Sequence, residues 1–170
     1  MAYEVIILGH LHMPLYFLWT FTEYPYRKEY VKEADTHMTV NTVLFPETKE
    51  VLVALKAEGA QVGIISTKYR YRIMELMAKE LPADFLDIIV GGEDVRTPKP
   101  SPEGLLFALE HLKADAADTL YIGDSTVDAE TAQAAGVDFA GVLHGMTTKE
   151  ELAAYPHVKI AKDLICLVEK

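Results

Sequence analysis

The chain has 170 residues, half of them apolar and a quarter charged, which suits one globular domain with a sizeable hydrophobic core. A formal net charge of -10 argues against nucleic acid or an anionic membrane as a partner, but not against an anionic small molecule held beside a divalent cation. The single Cys166 cannot form an internal disulfide, and a reduced, cytoplasmic setting is expected.

In chain order, Val5–Leu8 (VIIL) is a strand candidate. The apolar run Met13–Phe21 is too short to span a bilayer and lacks the basic flank and small-residue cleavage site of a secretory signal. It either packs internally or offers a patch to a second copy of the chain, giving a homodimer. Tyr26–Met38 reads as a polar helix. Pro46 opens a helix through Lys56, with Val51, Leu52 and Leu55 on one face and Gly59 as its stop. Val62–Ile65 is the next strand, and Tyr71–Lys79 an amphipathic helix with Ile73, Met74 and Met77 inward. Phe85–Val90 contains a strand ended by Gly91-Gly92. A Pro-rich turn leads into a helix over Pro102–Leu112. Leu120–Ile122 is a strand, Val127–Ala135 a helix closed by Gly136, and Phe139–Leu143 another strand. Thr148–Ala154 is a short helix, Ile160 belongs to an edge strand, and Asp163 starts the last helix. This alternation predicts βαβ units and a parallel sheet covered on both faces, with right-handed crossovers. Ligands of such sheets bind beyond the carboxyl ends of the strands.

Chemistry-bearing residues cluster at those ends. Tyr121-Ile122-Gly123-Asp124-Ser125-Thr126-Val127-Asp128 is an apolar run ending in two carboxylates four residues apart, with a helix starting between them. Oxygen-only ligands of this kind favour Mg²⁺, which relieves the repulsion of paired carboxylates. The same residues also fit simple capping, with Asp124 as the helix cap and Asp128 in the first turn. Ser66 and Thr67 directly follow a strand, where a hydroxyl and helix amides suit a phosphate oxygen, or where either residue caps the helix. Lys99 stands between Pro98 and Pro100 in a stiffened loop, a placement suited to neutralising a phosphoryl group. Arg70 and Arg72 either contact a substrate anion or form an exposed helix face. His144 and His157 have no expected role beyond structure.

Taken in order and spacing, these residues resemble the haloacid dehalogenase (HAD) superfamily, in particular its phosphoglycolate phosphatase-like hydrolases. Ser66 matches the second motif, Lys99 in Pro98-Lys99-Pro100-Ser101-Pro102-Glu103-Gly104 the third, and Gly123-Asp124-Ser125 with Asp128 the fourth. The likeness runs from about Tyr26 to Lys170. It implies a three-layer, Rossmann-like α/β sheet, Mg²⁺ held by Asp124 and Asp128, and hydrolysis of a small phosphorylated metabolite through an aspartyl-phosphate. Ser66 and Lys99 are the implied phosphate contacts, and Thr67 and Arg70 join them as substrate-contact candidates from the residue reading above.

One motif departs from the pattern. Family members end the first strand in Asp-x-Asp-Gly-Thr, the first Asp being the nucleophile and a metal ligand, the second the acid/base. By register Leu8 stands at the first position and His10 at the second. Leucine cannot attack phosphorus or bind Mg²⁺, so no nucleophile is found, and His10 is left as an acid/base candidate. Asp35 to Thr39 has Asp-x-His-x-Thr spacing but follows a charged helical stretch, not a buried strand. His10 and His12 with Asp124 are read as loop histidines, a transition-metal site being the alternative. The interval from Leu8 to Ser66 is too short for a helical cap domain. The expectation is a single core domain over 1–170, with 9–40 a replaced segment and cap remnant. Three functional readings follow: a phosphatase-like hydrolase with impaired activity, an inactive HAD-like module binding Mg²⁺, phosphate or a protein partner, or the product of a truncated gene.

Overall fold

A computed structural model of the chain describes residues 5–9 and 43–168. Its strands are β1 (Val5–Leu8), β2 (Gln61–Ile65), β3 (Ile88–Val90), β4 (Thr119–Gly123), β5 (Asp138–Val142) and β6 (Lys159–Ala161). Its α-helices are α1 (Thr48–Ala57), α2 (Arg70–Glu80), α3 (Glu103–Leu112), α4 (Thr126–Ala135), α5 (Lys149–Leu152) and α6 (Ile165–Val168). The six strands form one sheet in the order β3-β2-β1-β4-β5-β6, every neighbouring pair parallel. That is the doubly wound arrangement, and its order reverses between β1 and β4, where ligand crevices form.

Strands buried on both faces need apolar side chains at every position, which explains VIIL at the sheet centre. Ile6 and Leu8 join one core with Val51 and Leu52 of α1 and Ile73, Leu76 and Met77 of α2. Val5 and Ile7 join the other with Leu105, Ala108 and Leu109 of α3 and Ala129 and Ala132 of α4. The result is the expected three-layer α/β/α architecture.

Several boundaries shift for identifiable reasons. Pro46 lies in the turn before α1 rather than in its first turn. Met74, expected inward, is 53% exposed, and Leu76 takes the core position, because the buried stripe of α2 runs Ile73–Leu76–Met77. The short helix after β5 starts at Lys149, closed by a capping box between Thr148 and Glu151. The last helix starts at Ile165 rather than Asp163; the Asp163 carboxylate instead accepts the Cys166 N–H at 2.9 Å. Among the described residues no helix is long and apolar enough to cross a membrane. The expectations for Met13–Phe21, Tyr26–Met38 and the replaced segment fall outside the described residues.

The central placement of β1 has a measurable consequence. Ile7 is fully buried. Ile7→Ala is expected to lower unfolding free energy by about 2–5 kcal/mol in urea denaturation, as for large-to-small changes in a packed core.

Candidate functional site

At the point where strand order reverses, β1 pairs with both β2 and β4, so Leu8 lies level with Ile64 and Ile122. The chain beyond β2 reaches Ser66 and beyond β4 reaches Asp124, which brings both to one crevice. Lys99 arrives from the loop between β3 and α3, through a cis Lys99–Pro100 bond.

The Lys99 ammonium donates to Asp128 Oδ1 at 2.6 Å and to the Gly9 carbonyl at 2.6 Å, with the Tyr121 hydroxyl 3.4 Å away. Only 11% of the Lys99 side chain and 1% of Asp128 are exposed. Tyr121 donates its hydroxyl to Asp128 Oδ1 at 3.2 Å. Ser125 donates to Asp128 Oδ2 at 2.6 Å and accepts the Asp128 N–H in return, capping α4. Both oxygens of Asp128 are therefore engaged from within the protein. Gly9 is required at its position: a Cβ there would lie 2.5 Å from both Asp128 Oδ1 and the Tyr121 hydroxyl.

Asp124 lies beside this network, only 4% exposed. Burial pushes its carboxyl up to about 6; the charge of Asp128 adds to the rise and that of Lys99 opposes it. Burial, then the Asp128 carboxylate, pushes the Tyr121 phenol well above its ordinary range. Asp124 shares a small cleft with Leu8, Thr48 and His144.

Across the crevice, the Ser66 hydroxyl accepts the Lys68 N–H at 3.2 Å, and the Ser66 N–H donates to the Val90 carbonyl. Neither Ser66 nor Thr67 caps α2; the residue in that position is Tyr69, which makes no side-chain cap bond. Nor does Asp124 cap α4, a task that falls to Ser125. Thr67 is exposed. Arg70, a candidate for an anionic substrate, gives its guanidinium to Asp94, with Nε 3.0 Å from Oδ2 and a second contact from Nη2 to Oδ1. Arg72 lies over the rings of Tyr69 and Tyr71. His144 Nε2 lies 2.9 Å from Glu47 Oε1 with its ring packed on Phe45, and His157 Nδ1 lies 2.7 Å from the Tyr155 carbonyl. His10, His12 and Asp35 to Thr39 fall outside the described residues.

Sequence reasoning gave no separate role to Tyr121, Ser125, Gly9 or Lys68. A tyrosine in a buried strand must find a partner for its hydroxyl, and a serine just before a helix is a cap signal, so the first two were open to discovery. Lys68 is pushed down to about 8 by burial first and by Arg72 second, an effect no local pattern reveals.

The haloacid dehalogenase-like hydrolase family matches residues 16–142. The chain belongs to this family. It is 34% identical over 112 residues to the phosphoglycolate phosphatase of Salmonella typhimurium, covering 66% of this chain and 44% of that protein. It is 39% identical over 116 residues to the phosphoglycolate phosphatase of Neisseria gonorrhoeae, covering 68% and 49%. The chain thus spans less than half the length of these phosphatases. A structure described as a haloacid dehalogenase-like hydrolase from Bacteroides fragilis superimposes with a TM-score of 0.82 at 55% identity, over 84% of this chain and 68% of that one. A HAD-superfamily hydrolase from Geobacter sulfurreducens, 20% identical with a TM-score of 0.71, shares the fold over 98% and 100% of the two chains. The resemblance to the phosphoglycolate phosphatases is thereby established, at the level of family.

The family implies Mg²⁺, and the donors can be tested for it. Mg²⁺ takes an octahedron of oxygens, usually one or two carboxylates with water and phosphate. Leu8 offers no donor, and Asp128 is engaged by Lys99, Tyr121 and Ser125. Among the described residues no group of three or more His, Cys, Asp or Glu is placed to hold a metal. Asp128 is thus held within the protein, and Asp124 lines the cleft beside it; these are the two carboxylates that the resemblance assigns to a cation.

Two predictions follow from this geometry. Lys99→Met removes the cation from a buried carboxylate and is expected to cost about 3–5 kcal/mol in urea unfolding, more than the removal of an exposed lysine. Asp124 binds its proton more tightly folded than unfolded, so its ionisation disfavours the fold: its contribution is favourable below about pH 4 and is lost as pH rises towards 6. Asp124→Asn is therefore expected to gain stability relative to the parent chain between pH 4.5 and 7, measured by paired urea titrations.

Proposed function

We propose that this chain is a phosphatase-like HAD domain that binds a small phosphorylated metabolite but hydrolyses it poorly or not at all. The observation that carries this reading is Leu8, 4% exposed at the tip of the central strand, where the family's resemblance calls for the attacking carboxylate. Ser66, Lys99 and Asp124 supply what binding needs: a hydroxyl beside helix amides, a held ammonium, and a carboxylate able to assist a cation. Lys99 serves as charge neutraliser, Ser66 and Thr67 as phosphoryl contacts, and Asp128 as the anchor that aims Lys99. Hydrolysis through a covalent intermediate requires an attacking group, and removal of such a group costs orders of magnitude in rate, roughly a millionfold in one well-studied protease. His10 remains the acid/base candidate, with nothing to assist until a nucleophile is supplied. Mg²⁺ belongs to the same reading as an assistant to phosphate binding at Asp124.

Reconstruction tests this. The wild-type chain should release no measurable phosphate from a panel of phosphomonoesters, phosphoglycolate included, with Mg²⁺ present. The double variant Leu8→Asp, His10→Asp should bind Mg²⁺ more tightly and turn over at least one ester, by at least about a hundredfold over the parent. Wild-type turnover that disappears on Asp124→Asn would overturn the impaired reading and make the chain an enzyme with an unusual first motif.

A further inference from the structure

The loop carrying Ser66 is held by side chains that belong to a different loop. Gly91 and Gly92, just past β3, touch the backbone of the Ser66 loop. A Cβ on Gly91 would lie 2.5 Å from the Arg70 nitrogen, and one on Gly92 would lie 2.6 Å from the Thr67 carbonyl oxygen. The Gly92 N–H donates to the Lys68 carbonyl at 2.9 Å. The two residues that follow then reach back. Glu93 Oε1 accepts the Arg70 N–H at 2.8 Å, satisfying an open amide in the first turn of α2, whose own N-cap residue Tyr69 makes no side-chain cap bond. Asp94 accepts the Gly91 N–H at 2.7 Å with the same oxygen that receives Arg70 Nε, so one carboxylate fastens its own loop and the start of α2.

We propose that Glu93 and Asp94, acting on Arg70, are positioning residues for the phosphate contact at Ser66. This rests on the reading of Ser66 under Proposed function. The chemical need is plain: a helix start that receives an anion must present its amides and hydroxyl in a fixed orientation, and α2 carries no acidic residue in its first turn to steady it. The Glu93–Asp94 stitch supplies hydrogen-bond acceptors to the Arg70 end of that turn. Arg70 therefore works through Asp94.

The test uses the full ¹⁵N-labelled chain, with amide exchange and orthophosphate titration as separate readouts. Asp94→Ala and Glu93→Ala should each speed exchange of the Lys68 and Arg70 amides by about tenfold or more, as expected when a local opening becomes easier. Each should also weaken orthophosphate binding by about fivefold or more, roughly the loss of one fixed hydrogen-bonding group. Glu93→Gln keeps a neutral acceptor for the Arg70 N–H and should restore both readouts to within about twofold of wild type. If Asp94→Ala fails to fold, the exposed Glu93 pair of variants decides alone. Unchanged exchange and unchanged phosphate affinity in the alanine variants, with wild-type phosphate binding intact, overturns this inference and leaves the proposed function standing. Loss that Glu93→Gln does not rescue also overturns it. A wild-type chain that binds no orthophosphate overturns the proposed function and this role with it.

Discussion

Everything at the crevice depends on the contact between the Lys99 ammonium and the Asp128 carboxylate. The pair is 2.6 Å apart and almost wholly out of water. Desolvating two charges costs several kcal/mol for each ion, and their attraction offsets it only when the remaining valences are met. Here they are. The lysine also binds the Gly9 carbonyl, and the carboxylate also receives Tyr121 and Ser125. A buried pair of this kind contributes little net stability, but it specifies geometry, because any displacement leaves a charge unmatched. It ties together the end of β1, the body of β4, the start of α4 and the Pro-rich loop before α3.

That constraint divides labour between the two aspartates. Asp128 is turned inward and serves the protein. Asp124, four residues earlier at the strand tip, is left beside the cleft with a carboxyl that burial keeps near the midpoint of its titration at mildly acidic pH. Their spacing makes the two aspartates look alike, and the fold gives them different surroundings: Asp128 is bound by Lys99, Tyr121 and Ser125, and Asp124 lines the cleft. The helix cap falls to Ser125 between them, which frees Asp124 from that task.

The departure at Leu8 looks different once the sheet is seen. Leu8 continues the apolar run of β1 by one residue and joins the core shared with α1 and α2. The fold therefore tolerates the substitution without strain in the strand, since a leucine packed between Ile64 and Ile122 is what a central parallel strand prefers. Chemistry and folding make opposite demands on this position: a nucleophile requires a carboxylate at the tip, and the core favours a leucine. Just beyond Leu8, the Lys99 ammonium donates to the Gly9 carbonyl and ties the end of β1 to the crevice.

Sequence alone determined the alternation of strands and helices, the two apolar faces, and which residue types stand at the strand ends. These follow from local pattern: runs buried on both sides for strands, stripes at helical spacing for helices, glycine and proline at the breaks. The family likeness was legible for the same reason, its motifs being short and contiguous. What only the tertiary structure decided was partnership. Lys99 meets Asp128 29 residues later in the chain and Gly9 90 residues earlier, and Arg70 meets Asp94 24 residues later. Hydrogen bonds and ion pairs are chosen by distances of a few tenths of an ångström, and those distances are set by how the strands lie side by side. No spacing along the chain encodes them, so the pairing of Arg70 with Asp94 is not legible in the sequence, and Met74 read as core until the stripe of α2 passed through Leu76.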